Sequence, residues 1–320
     1  MESVKYYITQ PELAKWAGIK SQSIAQQATK LGLKSVTIGN RTAFPPTEVR
    51  KLVEQRGFTY PHQLISFQML KGGSTKSSSS FNLAVRLNQY GAKVLVIDAD
   101  AQSNISSALG HEITGEETVL YHLLKGEAEI QDSIIPVSQG LDLIPSNFDN
   151  SAIDLLLQTQ RTNLKKAISD LVKPVFSSYD FVILDCNPAL SGLNISIALA
   201  SDLVIVPVNP DPFSRSGLDK VLEEFTRMGK QYDREINYKL LFTLYDAREA
   251  TSRKYLIEYG SKFEDKMFSS IIKRNADVKT SIDQKRCIFD FKKAAALPDF
   301  DAFALEVLGW PLPSSGAGNA

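Results

Sequence analysis

Residues 64–80 read LISFQMLKGGSTKSSSS, and what they form decides the fold. LISFQML is a short apolar run of strand character, and SSSSFNLAVRLNQYG continues as a helix. Lys71, Gly72, Gly73, Ser74, Thr75, Lys76 and Ser77 therefore sit at a strand–loop–helix corner. Glycines let such a loop turn its N–H groups inward, and the helix N-terminus adds positive potential. Lys76 can reach the β and γ phosphates of a nucleotide, and the Ser77 hydroxyl can ligate Mg²⁺. Taken alone, the same letters also describe a flexible Gly/Ser loop, so the flanking chain must decide.

Farther along, KVLVIDADAQSN places Asp98 and Asp100 just beyond an apolar strand, two residues apart and so on one side of the chain. FVILDCNPAL does the same for Asp185. A single acid ending a strand is commonplace, but three beside one phosphate loop fit metal holding and water positioning. LDLIPS, DLVIVPVN and YKLLFTLYD are further strand-like runs, several continuously apolar as in parallel strands covered on both faces. Helical stretches such as TNLKKAISDLVKPVF and GLDKVLEEFTRMGKQY alternate with them. The expected fold is α/β, a doubly wound and mostly parallel sheet of P-loop NTPase type over residues 61–310. PLPSSGAGNA, residues 311–320, reads as a disordered tail.

Residues 1–60 have a different texture. Thr9 can cap a helix with Pro11 and Glu12 in its first turn and Leu13, Trp16 and Ala17 at core spacing, ended by Gly18. Ser21 or Ser23 can cap the next, which places Ile24, Ala28 and Leu31 on one face. GNRTAF suggests a turn and brief strand, and Pro45 and Pro46 lead into TEVRKLVEQRG, a third helix. The expectation is a small helical winged helix-turn-helix domain joined by a linker at 57–63. A small helical dimerisation module is the alternative.

The 36 basic and 36 acidic residues cancel, so any nucleic-acid contact must come from local charge. Residues 1–60 carry nine Lys/Arg against four acids, and residues 227–293 carry sixteen against ten, which marks both segments as candidates. Cys186 and Cys287 lack a CxxC partner, arguing against a disulfide scaffold, zinc or an iron–sulfur cluster. No apolar run approaches a bilayer span and MESVKYYITQPELAKW has no signal pattern, so the expected location is cytoplasmic.

These motifs resemble the ParA family of partition ATPases, within the deviant-Walker-A group. KGGSTKSS is similar to that family's KGGxGK[ST][ST] loop, VIDADAQSN to its hhhDxDxQ strand end, ILDCNPAL to its Walker B segment and IVPVNPDPFSRSGL to its PVxP…GL segment. IIKRNADV resembles its late Pro-Arg-Asn base segment, with Lys273 in place of the proline, and Thr75 stands where the family usually has glycine. The resemblance implies that Lys71 crosses a dimer interface to the partner's nucleotide, much as an arginine finger does. It further implies that Lys76 binds phosphates, Ser77 ligates Mg²⁺ and Ser78 contacts the α phosphate. Asp100 would orient the attacking water, Asp98 and Asp185 would hold the Mg²⁺ shell, and Arg274 and Asn275 would meet the base.

The same resemblance implies ATP and Mg²⁺ as cofactors, a homodimer formed on ATP, a ParB-like or adaptor partner, and nucleoid association. Non-specific DNA binding would use the cluster of Arg248, Arg253, Lys254, Lys273, Lys279 and Arg286, although for any one of them a solvated helix face accounts for the charge equally well. The N-terminal block is similar to a MerR-like helix-turn-helix, with Ser21, Gln22, Ser23, Gln26 and Lys30 toward a major groove and Arg41 toward the backbone or minor groove, for operator binding and autoregulation. The competing functions are a nucleotide-switched transcription regulator and a positioning ATPase for a protein cargo. A membrane-positioned relative would need a basic amphipathic C-terminal helix, and Pro311 and Pro313 break that segment.

Overall fold

The computed structural model describes residues 5–73, 75–291 and 295–312. Ser74, the Lys279 side chain and most of the expected tail, residues 313–320, lie outside the described residues. The strands are β1 (Ile8–Thr9), β2 (Val36–Ile38), β3 (Arg41–Phe44), β4 (Gln63–Phe67), β5 (Val94–Asp98), β6 (Ile135–Ser138), β7 (Leu141–Ile144), β8 (Phe181–Asp185), β9 (Leu203–Val208), β10 (Tyr238–Tyr245) and β11 (Met267–Lys273). The helices are α1 (Gln10–Ala17), α2 (Ser21–Lys30), α3 (Pro46–Gln55), α4 (Lys76–Gln89), α5 (Asn104–Ala108), α6 (Leu120–Lys125) and α7 (Ile153–Thr159), followed by α8 (Leu164–Phe176), α9 (Gly192–Ala200), α10 (Pro212–Tyr232), α11 (Ala250–Lys262), α12 (Ala276–Asp283) and α13 (Leu297–Leu308).

Eight strands form one sheet in the order β11-β10-β9-β4-β8-β5-β7-β6, parallel except where β6 runs against β7. The period of two along each strand divides the core. Ile65, Phe67, Val94, Val96, Phe181 and Ile183 bury into a cluster with α4 and α13. Their neighbours Leu64, Leu95, Ile97, Val182 and Leu184 bury on the opposite face with α6 to α9. That two-sided burial is why these strands read as unbroken apolar runs. β4 lies centrally, with β8 and β9 on its two sides, so the chain reverses its winding at the carboxyl end of β4. A crevice forms at such a switch point.

The N-terminal block holds α1, α2 and α3 and a three-stranded sheet ordered β1-β3-β2. Thr9 donates its amide to Glu12 at 2.9 Å, and Gly18 turns the chain out of α1 at φ 64, as the sequence predicts. α2 differs, because Lys20 takes the capping position and no side chain caps it. The expected linker also differs. Phe58 and Tyr60 join Trp16, Tyr90 and Trp310 in one aromatic cluster, with Trp310 centroids 5.2 Å from Phe58 and 5.4 Å from both Trp16 and Tyr60. Large rings gain more by burial than a hinge gains by staying loose, and the block shares a core with the sheet. Gly91 marks how close the two approach, since a Cβ there would lie 2.7 Å from the Arg50 amide nitrogen.

Candidate functional site

At the carboxyl end of β4 the chain passes through Gly73 at φ 72 and Thr75 at φ 67 before α4 begins at Lys76. A cavity of about 530 Å³ opens over this corner. Gly72, Gly73, Thr75, Lys76, Ser77 and Ser78 line its floor, and Asp100 lines one wall. Each described residue from Gly72 to Ser78 lines this cavity.

Lys76 is buried, and its pKa is lowered by desolvation, against which Asp185 and Asp100 act as opposite charges. A desolvated ammonium is stabilised by an incoming polyanion. Asp98 and Asp185 are register partners on adjacent strands, both fully buried. Burial raises the pKa of each, and for Asp98 the neighbouring Asp185 carboxylate adds to it.

Their surroundings separate the two acids. Asp98 accepts from the Asp100 amide at 3.1 Å, the Ser106 amide at 3.0 Å and the Ser106 hydroxyl at 2.6 Å. Its oxygens are thus committed to the turn that carries Asp100. Asp185 Oδ1 accepts from Ser80 at 3.1 Å, while Oδ2 is buried without a partner at hydrogen-bond geometry. The Ser77 hydroxyl stands near enough to lower the pKa of Asp185. An orphaned carboxylate oxygen beside a hydroxyl is the hard-oxygen environment that Mg²⁺ prefers. Among the described residues no group of three or more His, Cys, Asp or Glu could hold a metal. Asp98, expected in the metal shell, has its oxygens committed to this turn, and neither it nor Asp185 is among the cavity-lining residues.

Lys71 and Arg274 are not among the cavity-lining residues. The Lys71 ammonium lies 2.8 Å from Asp211 Oδ2, and the Arg274 guanidinium 3.0 Å from Glu249 Oε1. Asn275 does line the cavity, and its Oδ1 accepts the Asp277 amide at 2.8 Å. Ser78 donates to the Thr75 carbonyl at 3.0 Å. Five lining residues carried no assigned role at the level of sequence: Gln102, Asn104, Pro188, Leu244 and Val278. Gln102 is visible in the quoted DxDxQ pattern. Leu244 is not, because it reaches the cavity through a φ of 56 at the end of β10 that no local signal announces.

The basic candidates divide as well. Arg248 pairs with Asp246 at 2.7 Å and Lys273 with Asp299 at 2.8 Å, which offsets part of their charge. Arg253 donates to the Ala247 carbonyl and Arg286 to the Asp290 carbonyl, while Lys254 is exposed. On α2, Gln22, Gln26 and Lys30 form an exposed stripe with Ser23 partly covered, and Arg41 is exposed on β3. Ser21 is engaged, its hydroxyl accepting from Gln10 at 3.0 Å. Cys186 and Cys287 are both free and buried. No helix among the described residues is long and apolar enough to cross a membrane.

Residues 62–240 match a family described as an AAA domain. The chain is 30% identical over 243 residues to the chromosome partitioning protein ParA of Caulobacter vibrioides, covering 74% of this chain and 90% of that one. It is 30% identical over 218 residues to the sporulation initiation inhibitor protein Soj of Bacillus subtilis, covering 67% and 85%. Among solved structures, a plasmid partition protein from Borrelia burgdorferi bound to AMPPNP superposes with a TM-score of 0.61 at 26% identity, over 77% of this chain and 98% of that one. A complex of Cyanothece McdA with ATP gives 0.70 at 22% identity, over 78% and 98%, a likeness of fold.

Proposed function

The chain belongs to the ParA family of partition ATPases, and from that premise we propose that it is an ATP-driven segregation ATPase that closes into a homodimer around ATP, binds DNA in that state and releases it after hydrolysis. It is a P-loop ATPase acting on ATP with Mg²⁺. The observation that carries the reading is the cavity at the β4–α4 corner, where a buried lysine, a row of hydroxyls and Asp100 face one space.

Lys76 and the loop would receive the phosphates, with Ser77 and the open oxygen of Asp185 holding Mg²⁺, which supplies charge neutralisation on the transferring phosphoryl group. Asp100 orients water, and Asp98 fixes the turn that aims Asp100. Asn275, Leu244 and Val278 offer a polar and apolar wall suited to a nucleobase. Lys71 would leave Asp211 to meet the partner's nucleotide. The ATP dimer would bind nucleoid DNA non-specifically through Arg253, Lys254, Arg286 and their neighbours, and a ParB-like protein would stimulate turnover. The N-terminal block would read operator DNA with Gln22, Gln26 and Lys30 of α2 and with Arg41. The exposure of that stripe supports it.

The test compares nucleotide binding, turnover and DNA retention in the full chain. Lys76→Ala should lose nucleotide binding, whereas Asp100→Ala should bind ATP but hydrolyse it poorly. Normal turnover in both variants would overturn the mechanism. Gel shifts with ATP should retain DNA that ADP does not, weakening steeply with salt. Retention indifferent to nucleotide would reduce the protein to an ATPase with a separate DNA-binding block.

A further inference from the structure

Thr75 holds a conformation its side chain resists. At φ 67 and ψ 13 it sits in the left-handed region, where Cβ crowds the backbone and a β-branched residue is an outlier. Such strain persists only where the surroundings over-determine it. Here the anchor is identifiable. The Thr75 hydroxyl donates to Thr243 Oγ1 at 3.0 Å, and the Thr243 hydroxyl donates onward to Asn209 Oδ1 at 2.7 Å. Both partners are buried, and the Asn209 amide is itself fixed by Ser214 Oγ at 2.8 Å.

The receiving end is unusual in the same way. Between Phe242 and Tyr245 the pairing of β10 with β11 slips register, and Leu244 within that slip has φ 56. Thr75 and Leu244 both line the nucleotide cavity. One hydroxyl–hydroxyl bond therefore joins two segments that each pass through the left-handed region beside the same space.

We propose that Thr75 is a positioning residue, whose bond to Thr243 locks the phosphate loop in its binding conformation before nucleotide arrives. Glycine would adopt that backbone without help. Threonine needs the anchor, and through it the loop is fixed to β10 and to the start of α10. The proposal rests on the corner being the nucleotide site. Loss of the bond lets Thr75 relax toward ordinary φ and turns the loop away from the phosphates, so the effect falls on affinity and KM rather than on kcat.

The experiment measures the Kd of a fluorescent ATP analogue with Mg²⁺, and steady-state turnover, in the full chain. Thr75→Ala keeps the crowded Cβ but removes the hydroxyl, and should weaken binding about threefold to tenfold, the worth of one such hydrogen bond. Thr75→Ser restores the donor and should recover wild-type affinity, as should Thr75→Gly, which needs no anchor. Thr243→Val should weaken binding in the wild-type background and have no effect when combined with Thr75→Gly. Wild-type affinity in Thr75→Ala, or an equal loss from Thr243→Val in both backgrounds, overturns the proposal. Failure of the wild type to bind the analogue would instead sink the assignment of the site itself.

Discussion

The ammonium of Lys71 lies 2.8 Å from Oδ2 of Asp211, whose other oxygen accepts the Ser214 amide at 2.9 Å and so caps α10. Burial works to raise the Asp211 pKa, but the hydrogen bond from Lys71 and the Ser214 amide outweigh it and hold the carboxyl below its usual range. Under the proposed dimer, in which Lys71 would meet the partner's nucleotide, the single chain holds that ammonium on Asp211 instead. Asp211→Asn preserves the cap acceptor but removes the charge. Because the pair is partly exposed, its release should lower the protein concentration for ATP-dependent dimerisation by about twofold to fivefold. Sedimentation with a non-hydrolysable ATP analogue reads this directly, and an unmoved midpoint would show that the contact holds nothing back.

Ser106 supports the turn beneath Asp100. Its hydroxyl donates to Asp98 at 2.6 Å and accepts the Ser146 amide at 3.1 Å, while the Ser146 hydroxyl donates to the Asp100 carbonyl at 2.7 Å. Ser106→Ala orphans a buried amide and loosens both contacts, at a stability cost of about 1–3 kcal/mol. The catalytic expectation is a kcat about tenfold lower with nucleotide affinity little changed, since Asp100 is misaimed while the phosphate loop is not touched. Equal losses in kcat and affinity would mean general softening instead.

The sheet was legible because its evidence is local: strand-long apolar runs, a Gly/Ser corner and acids at strand ends each need only a few consecutive residues. Relations between distant segments were not. VIDAD placed Asp98 and Asp100 together, but nothing near them says that the amide and hydroxyl of Ser106 both claim Oδ2 of Asp98 while Asp185 keeps an unpartnered Oδ2. GFTYPHQ looked like a linker because its partner Trp310 lies about 250 residues away. Thr75 read as a departure from a pattern, and its reason is Thr243, on a strand whose register slip has no signature in the sequence.

Arg86 ties the N-terminal block to the rest through the helix that starts at the phosphate corner. Its side chain is 3% exposed, 2.7 Å from Asp301 and 3.4 Å from Glu12. Burial would lower its pKa, but Asp301, Tyr90 and Glu12 more than compensate and keep it charged. Arg86→Ala takes the buried cation away from the partly exposed carboxylates of Asp301 and Glu12, for a cost of about 1–3 kcal/mol. Urea unfolding should register that loss, and limited proteolysis should cut first near residues 57–63. A variant as protease-resistant as wild type would show that the aromatic cluster alone docks the block.

Glu117 gives the molecule a sign-specific response to acid. It accepts from the Thr114 hydroxyl at 2.9 Å, the Gly115 amide at 3.0 Å and Asn147 Nδ2 at 3.1 Å. Burial pushes its pKa up, but the Thr114 amide and the Asn147 side chain push it down further, from 4.5 to about 2. A folded-state pKa below the unfolded one contributes stability that is full above pH 4.5 and disappears as pH falls through about 2. With solvent screening the contribution is on the order of 1 kcal/mol. Glu117→Gln should therefore be less stable than wild type by that amount at neutral pH, with the gap closing between pH 4.5 and about 2 in parallel unfolding titrations. A gap that stayed constant across the window would assign the stabilisation to uncharged contacts, because only the ionised carboxylate loses its advantage when the solvent supplies the proton.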